Sequence, residues 1–208
     1  LILDRELQAS IVQSGEHSGY KILGVDPAAG GDNSAIVLKS GNLQEVLFNQ
    51  KLQDTMNMGG VIMDKYRQCK ADFIFIDKTG VGQGVLDRLK ELEYPCRGVS
   101  FGEKSEDPQF ANLKAEWHWR ERQWLLSGGR LLYNVGWNEF EIVKYKNKDG
   151  KITIQPKEEL LREGIASPNV VDAAVLTQYL KDSAIKSARI LRNQGNQFQD
   201  KMIDVWRQ

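Results

Sequence analysis

Three aspartates stand where a soluble fold gains nothing from a charge. Asp26 closes the apolar run Tyr20 to Val25 just before Pro27, and Asp77 closes the run Phe73 to Ile76. Both runs have the length and the β-branched or aromatic content of a buried strand. If these strands lie parallel and adjacent, their carboxyl ends share one edge of the sheet and the two acids face each other. Asp172 follows Ser167-Pro168 on a stretch that reads as a helix through Lys181, with Val175, Leu176 and Tyr179 three, four and seven residues on. That spacing places the acid on the face that should pack against the sheet.

A buried carboxylate must be protonated, paired with a cation or bound to a metal, and no basic partner stands out nearby in sequence. Mg²⁺ or Mn²⁺ meets the need, because hard ions prefer carboxylate and water oxygens. Two such ions ~3.5 to 4 Å apart can share one bridging acid, and Asp26 on the first strand of the core is the natural bridge. In such a site one ion activates the attacking water and the other stabilises the leaving oxygen, which is the chemistry of phosphodiester hydrolysis. Each acid also has a plainer reading. Asp26 before Pro27 can form a turn, Asp77 can cap the Gly-rich turn that follows it, and Asp172 can face a helix dipole.

The elements that must position these residues follow from periodicity. After a leader over residues 1–19, three strands in a meander are expected at Tyr20 to Val25, Ser34 to Lys39 and Leu43 to Leu52. Met58, Ile62, Tyr66 and Cys69 mark a helix before Phe73 to Ile76, and Val85, Leu86, Leu89 and Leu92 mark a second before the strand Arg97 to Phe101. A longer helix carries Phe110, Leu113, Trp117 and Trp124 and stops at Gly128-Gly129. A hairpin over about 141–155 turns at Asn147-Lys148-Asp149-Gly150, and Pro156 opens a short helix. Ser167 and Pro168 are expected as N-cap and N1 of the last helix, and the polar tail is 182–208. The expectation is an α/β fold with a mixed central sheet of five or more strands, flanked by helices, with a projecting hairpin.

Bulk properties restrict the function classes. The 208 residues hold 28 Lys+Arg and 28 Asp+Glu, so no global basic footprint exists and any nucleic-acid groove must be local. Cys69 and Cys96 lack metal-ligand or disulfide-framework spacing. No apolar run reaches the ~18 to 20 residues of a membrane span, no secretory leader is evident, and a cytoplasmic protein without a membrane partner is expected. The chain opens at Leu1 without a Met, as expected of a piece of a longer polypeptide. It contains no Walker A sequence.

Three ordered motifs resemble the nuclease domain of phage terminase large subunits. They are Gly24-Val25-Asp26-Pro27-Ala28, Ile76-Asp77-Lys78-Thr79-Gly80-Val81-Gly82 and Ser167-Pro168-Asn169-Val170-Val171-Asp172-Ala173. The resemblance spans about residues 20–181 and implies an RNase H-like (resolvase/integrase-like) nuclease domain that cuts concatemeric double-stranded DNA during genome packaging. It also implies an upstream ATPase motor domain, a portal protein and a small terminase subunit as partners, in the host cell cytoplasm. The family's metal-binding acids fall on Asp26, Asp77 and Asp172. Phe110 to Glu116 and Lys157-Glu158-Glu159 resemble further family segments, and so suggest roles for Asn112 and Lys157 near the site or substrate. Where many members carry a second acid, this chain has Asn169, a candidate accessory ligand one turn before Asp172.

The loop after Asp26 also suits the phosphate-cradling turns of sugar kinases and actin-like ATPases, which share the topology. Asp32 in that loop is a candidate accessory ligand or a turn former. The alternatives to a nuclease are therefore an actin-like or sugar-kinase-like nucleotide-binding domain, or a catalytically silent module that docks portal or DNA. For DNA, Lys144, Lys146, Lys148 and Lys151 on and beside the hairpin are the candidate phosphate contacts, with Arg120, Arg122 and Arg130 as additions.

Overall fold

Within residues 1–19, expected as a leader, a few side chains reach the core while most stay exposed. The computed structural model describes residues 1–28, 31–52 and 55–179. Asp4–Ser10 form helix α1 and Ile11–Val12 strand β1, and Leu7 and Ile2 are buried in the main apolar cluster. The meander follows as expected, with β2 (Lys21–Asp26), β3 (Ser34–Ser40) and β4 (Leu43–Gln50) paired antiparallel in sequence order. Gly41, at φ +61°, supplies the left-handed residue of the turn between β3 and β4.

Helix α2 (Thr55–Cys69) then carries the chain across to β5 (Phe73–Asp77), which lies parallel to β2. Helix α3 (Gly82–Glu91) leads to β6 (Cys96–Val99), parallel to β5. After α4 (Leu113–Leu126), a short strand absent from the sequence reading, β7 (Arg130–Leu132), joins β4 and β1. The seven-stranded mixed sheet has the order β1-β7-β4-β3-β2-β5-β6. A 3₁₀ turn (Val135–Asn138) and α5 (Glu139–Ile142) precede the expected hairpin, β8 (Tyr145–Lys148) and β9 (Lys151–Ile154). Its turn uses Asp149 at φ +53° and Gly150 at φ +76°, the two left-handed residues of a type I′ turn. One edge of the hairpin is tethered, because Ile152 exchanges backbone hydrogen bonds with Gln109 and Ala111. Helix α6 (Lys157–Arg162) and α7 (Asn169–Leu176) complete the order. The last helix was expected to reach Lys181; residues 180, 181 and the tail 182–208 lie outside the described residues.

Strand periodicity divides the core between the two faces of the sheet. Leu23, Val25, Ile74 and Ile76 pack with Met58, Ile62, Val85, Leu86 and Leu89 of α2 and α3. Ile22, Phe73 and Phe75 point the other way, to Trp117 of α4 and to Val171 and Val175 of α7. Every residue of α7 is buried, so this helix runs through the interior, unlike an amphipathic helix with one wet side. Each fully buried Ile, Leu or Phe contributes ~1.5 to 3 kcal/mol, which is what holds the interior helix in place.

On the same side lies a polar network that periodicity did not reveal. Glu121 of α4, 0% exposed, accepts from Gln44 Nε2 at 3.0 Å and Gln178 Nε2 at 2.6 Å, while Lys39 donates to Gln178 Oε1 at 2.5 Å. Burial raises the Glu121 carboxyl from its usual 4.5 to about 7, although Lys39 and the two amides pull it down. The folded state therefore binds the proton more tightly than the unfolded chain. The resulting stabilisation is complete below pH 4.5 and is lost as pH rises through about 7. In chemical denaturation at pH 5 and pH 8, Glu121→Gln should gain up to about 3 kcal/mol on wild type over that interval. A constant difference between the two proteins would contradict this.

Candidate metal centre

Register brings the first two acids together. Val25 pairs with Ile76 on the parallel strands β2 and β5, so Asp26 and Asp77 are the next residues out on neighbouring strands. Both share the parity of Ile22, Gly24, Phe73 and Phe75, so both project to the face covered by α4 and α7. There α7 lies directly on β2, since a Cβ built on Gly24 would sit 2.0 Å from the Ala173 carbonyl oxygen. Only a glycine admits that approach. It sets Asp172, the neighbour of Ala173, over the end of β2.

The start of α7 differs from the expectation. Pro168 stands at the N-cap position with no side-chain cap, and Ser167 does not cap the helix. The cap comes from a remote element, because Glu139 Oε2 accepts the N–H groups of Val170 at 2.7 Å and Val171 at 3.3 Å. Burial lifts the Glu139 carboxyl to about 7 against the pull of those two N–H donors, and the Asp172 charge adds to the rise.

Mutual repulsion marks the three acids as one cluster. The Asp26 carboxyl is raised well above its usual value, first by burial, then by Asp172 and by Asp77, with partial relief from Lys114 and Lys157. Asp77 Oδ1 accepts the Thr79 N–H at 2.9 Å, so the turn role foreseen for it is also filled. Asp172, 6% exposed, takes Lys114 Nζ on Oδ2 at 2.9 Å. Burial alone would depress the Lys114 ammonium, but Asp172, with Asp26 and Asp77 behind it, raises its pKa overall. Lys114 lies on α4, 58 residues from Asp172 in the chain, which is why no basic partner was visible near the acids in sequence.

Among the described residues, no group of three or more His, Cys, Asp or Glu side chains is placed to grip a metal ion as it stands. Asp172 is turned onto an ammonium and Asp77 onto its own turn, as expected of carboxylates that satisfy themselves within the protein. The donor chemistry nevertheless fits a hard divalent ion. Asp172 Oδ1 and Asn169 Oδ1 are buried without a hydrogen-bond partner among the described residues, and Asp26 repels both other acids. Buried oxygen atoms that lack a hydrogen-bond partner are what a cation would complete.

The other candidate residues separate into two groups. Lys157 is near the centre: it pairs with Asp32 at 2.7 Å and eases the Asp26 charge. With Lys114, His118, Lys144 and Gln155 it lines a cavity of about 10 Å³, room for one water. Asp32 is thus held by a lysine. Asn112 is the N-cap of α4, accepting the Ala115 N–H at 3.0 Å, and so aims the helix that carries Lys114. Lys146 pairs with Glu159, while Lys148 is exposed on the hairpin and Lys151 partly so. Arg120 bonds the carbonyls of Gln178 and Tyr179, and Arg122 the carbonyl of Leu1, so these two hold the fold together. Sequence reading missed Lys114 and His118. Their spacing of four puts them on one helical face, but the neighbouring tryptophans masked it as ordinary core.

No family model and no curated protein sequence matches the chain. Solved structures do. The nuclease domain of the large terminase subunit of bacterial virus Sf6 superposes with a TM-score of 0.74 at 16% identity, over 86% of this chain and 98% of that one. A variant of that domain with manganese and β-thujaplicinol gives 0.75 at 16% identity over 86% and 98%. The large terminase nuclease of thermophilic phage G20c with bound magnesium gives 0.62 at 13% identity over 82% and 93%. The chain thus has the RNase H-like fold of phage large-terminase nuclease domains.

Because Gly24 is the contact on which the centre closes, Gly24→Ala should force α7 off β2. The expected loss is about 1 to 3 kcal/mol of stability in urea unfolding, as for other overpacked cores. Wild-type stability in that variant would show that the helix does not press on the strand.

Proposed function

We propose that this chain is a divalent-metal-dependent DNA endonuclease, the cutting module of a phage DNA-packaging terminase. The observation that carries the reading is the convergence of Asp26, Asp77 and Asp172 from two strands and an interior helix, close enough that two of them raise the pKa of the third. The terminase-nuclease fold is the second support. Bound divalent ions, Mg²⁺ or Mn²⁺ and two by this reading, would supply Lewis acidity and an activated water.

The protein's own groups divide the remaining work. Asp26, Asp77 and Asp172 would hold the ions, Asp26 being the acid that feels the charge of both others. Lys114 holds Asp172 in place through Oδ2 and leaves Oδ1 free. Glu139 and Gly24 fix the helix that delivers Asp172, and Asn169 is an accessory donor on the same helix. Lys157, beside Asp26, is placed to neutralise a phosphate next to the scissile bond, with Lys144 across the small cavity. On the hairpin, Lys146, Lys148 and Lys151 offer positive charge without any means of reading bases, so binding would depend on phosphates and not on sequence. In this reading an ATPase motor domain, the portal protein and the small terminase subunit are the partners that decide when cutting occurs, in the host cytoplasm.

Cleavage of supercoiled plasmid with Mg²⁺ or Mn²⁺ tests the proposal. Asp26→Asn, Asp77→Asn and Asp172→Asn should each lower the rate at least ~100-fold, while Asp26→Asn raises unfolding stability at neutral pH in chelator because a buried charge is gone. Undiminished cutting by any of the three would remove the site. Charge reversal at Lys148 and Lys151 should weaken DNA binding and flatten its salt dependence by about 0.9 in slope per lost phosphate contact. An unchanged slope would remove the hairpin from the DNA path.

A further inference from the structure

His118 sits one turn beyond Lys114 on α4 and is 1% exposed. Its Nδ1 lies 2.8 Å from the Lys114 carbonyl oxygen. A carbonyl can only accept, so Nδ1 carries the hydrogen and Nε2 presents a bare lone pair. That lone pair lies 3.5 Å from Asp172 Oδ1. Neither atom has a hydrogen-bond partner among the described residues. Two buried acceptors therefore face each other, an arrangement that costs stability unless something positive is shared between them.

Charge balance selects what is shared. Three carboxylates stand against the one ammonium of Lys114, since Lys157 is paired with Asp32. A proton on His118 would cancel only one of the two remaining negative charges, so the cluster accommodates at least one divalent ion. The spacing agrees, because two ligands ~2.1 Å from one ion at a tetrahedral angle are about 3.4 Å apart. The Nδ1–H to carbonyl bond is also the usual outer support that fixes the tautomer of a metal-binding histidine.

We infer that His118 is a nitrogen ligand of this centre, clipping a divalent transition-metal ion together with Asp172 Oδ1. The inference rests on the three-carboxylate reading above and adds a donor of another kind to it. An imidazole tilts the site toward Mn²⁺, Co²⁺ or Zn²⁺ and away from Mg²⁺, which prefers oxygen alone. Asp172 then serves two cations at once, with Oδ2 on Lys114 and Oδ1 on the ion.

The 208-residue protein loaded with Mn²⁺ and read by pulsed electron paramagnetic resonance decides the matter. The chain has two histidines, His17 and His118, and His17 pairs with Glu45. Wild type should show coupling from a directly bound nitrogen that persists in His17→Gln and disappears in His118→Leu. By calorimetry, His118→Leu should weaken Mn²⁺ about ten-fold or more and Mg²⁺ far less. Mn²⁺ bound to wild type without nitrogen coupling, or coupling that survives His118→Leu, overturns the inference and leaves the three-carboxylate reading standing. Failure of wild type to bind Mn²⁺ at all overturns both. The wild-type spectrum does not depend on any variant folding, and His118→Gln, which keeps a polar group of similar reach, provides a second check on the loss of coupling.

Discussion

Electrostatic repulsion among Asp26, Asp77 and Asp172 is the force that the rest of this molecule is arranged to withstand. Acids gathered at the edge of an apolar core oppose folding, and packing together with nearby lysines keeps them there. Helix α7 is buried along its whole length and lies against β2 through the missing side chain of Gly24. Apolar burial on both faces of the sheet supplies the opposing stabilisation, residue by residue and at larger total magnitude than the repulsion. Asp26 is thereby held where burial and the charges of Asp172 and Asp77 push its carboxyl up.

The protein also relieves part of the strain internally. Lys114 reaches Asp172 from α4, and Lys157 stands by Asp26 while bonded to Asp32. Both lysines ease the charge on Asp26, Lys114 while paired with Asp172 and Lys157 while paired with Asp32. The same lysines line the small cavity beside His118.

Away from the centre, a second set of charges does structural work. Glu121, Gln44, Gln178 and Lys39 satisfy one another between the sheet and α4. Glu139 caps α7 from a distance. Arg120 and Arg122 tie α4 to the end of α7 and to the chain start. Buried polar groups of this kind carry orientation as well as energy, because each must find its partner for the fold to close.

The sequence by itself determined the strand runs, the meander, the βαβ steps, the hairpin turn and the positions of the three acids. All of these depend on local periodicity or on turn residues such as Gly41 and Asp149-Gly150, which act within a few residues. It also showed that Asp172 lies on a buried face, since the residues around it are apolar at helical spacing. Tertiary structure alone decided which partners complete the site. Lys114 and His118 meet Asp172 across 58 and 54 residues of chain, Glu139 replaces Ser167 as the helix cap, and Asn112 caps α4. Strands β1 and β7 are two and three residues long, too short for a period to declare itself, and exist because the edge of β4 offers hydrogen bonds to β7 and the edge of β7 offers them to β1. Contacts between remote segments depend on how helices lie on the sheet, and that information is spread over the whole core and not written in any one stretch of residues.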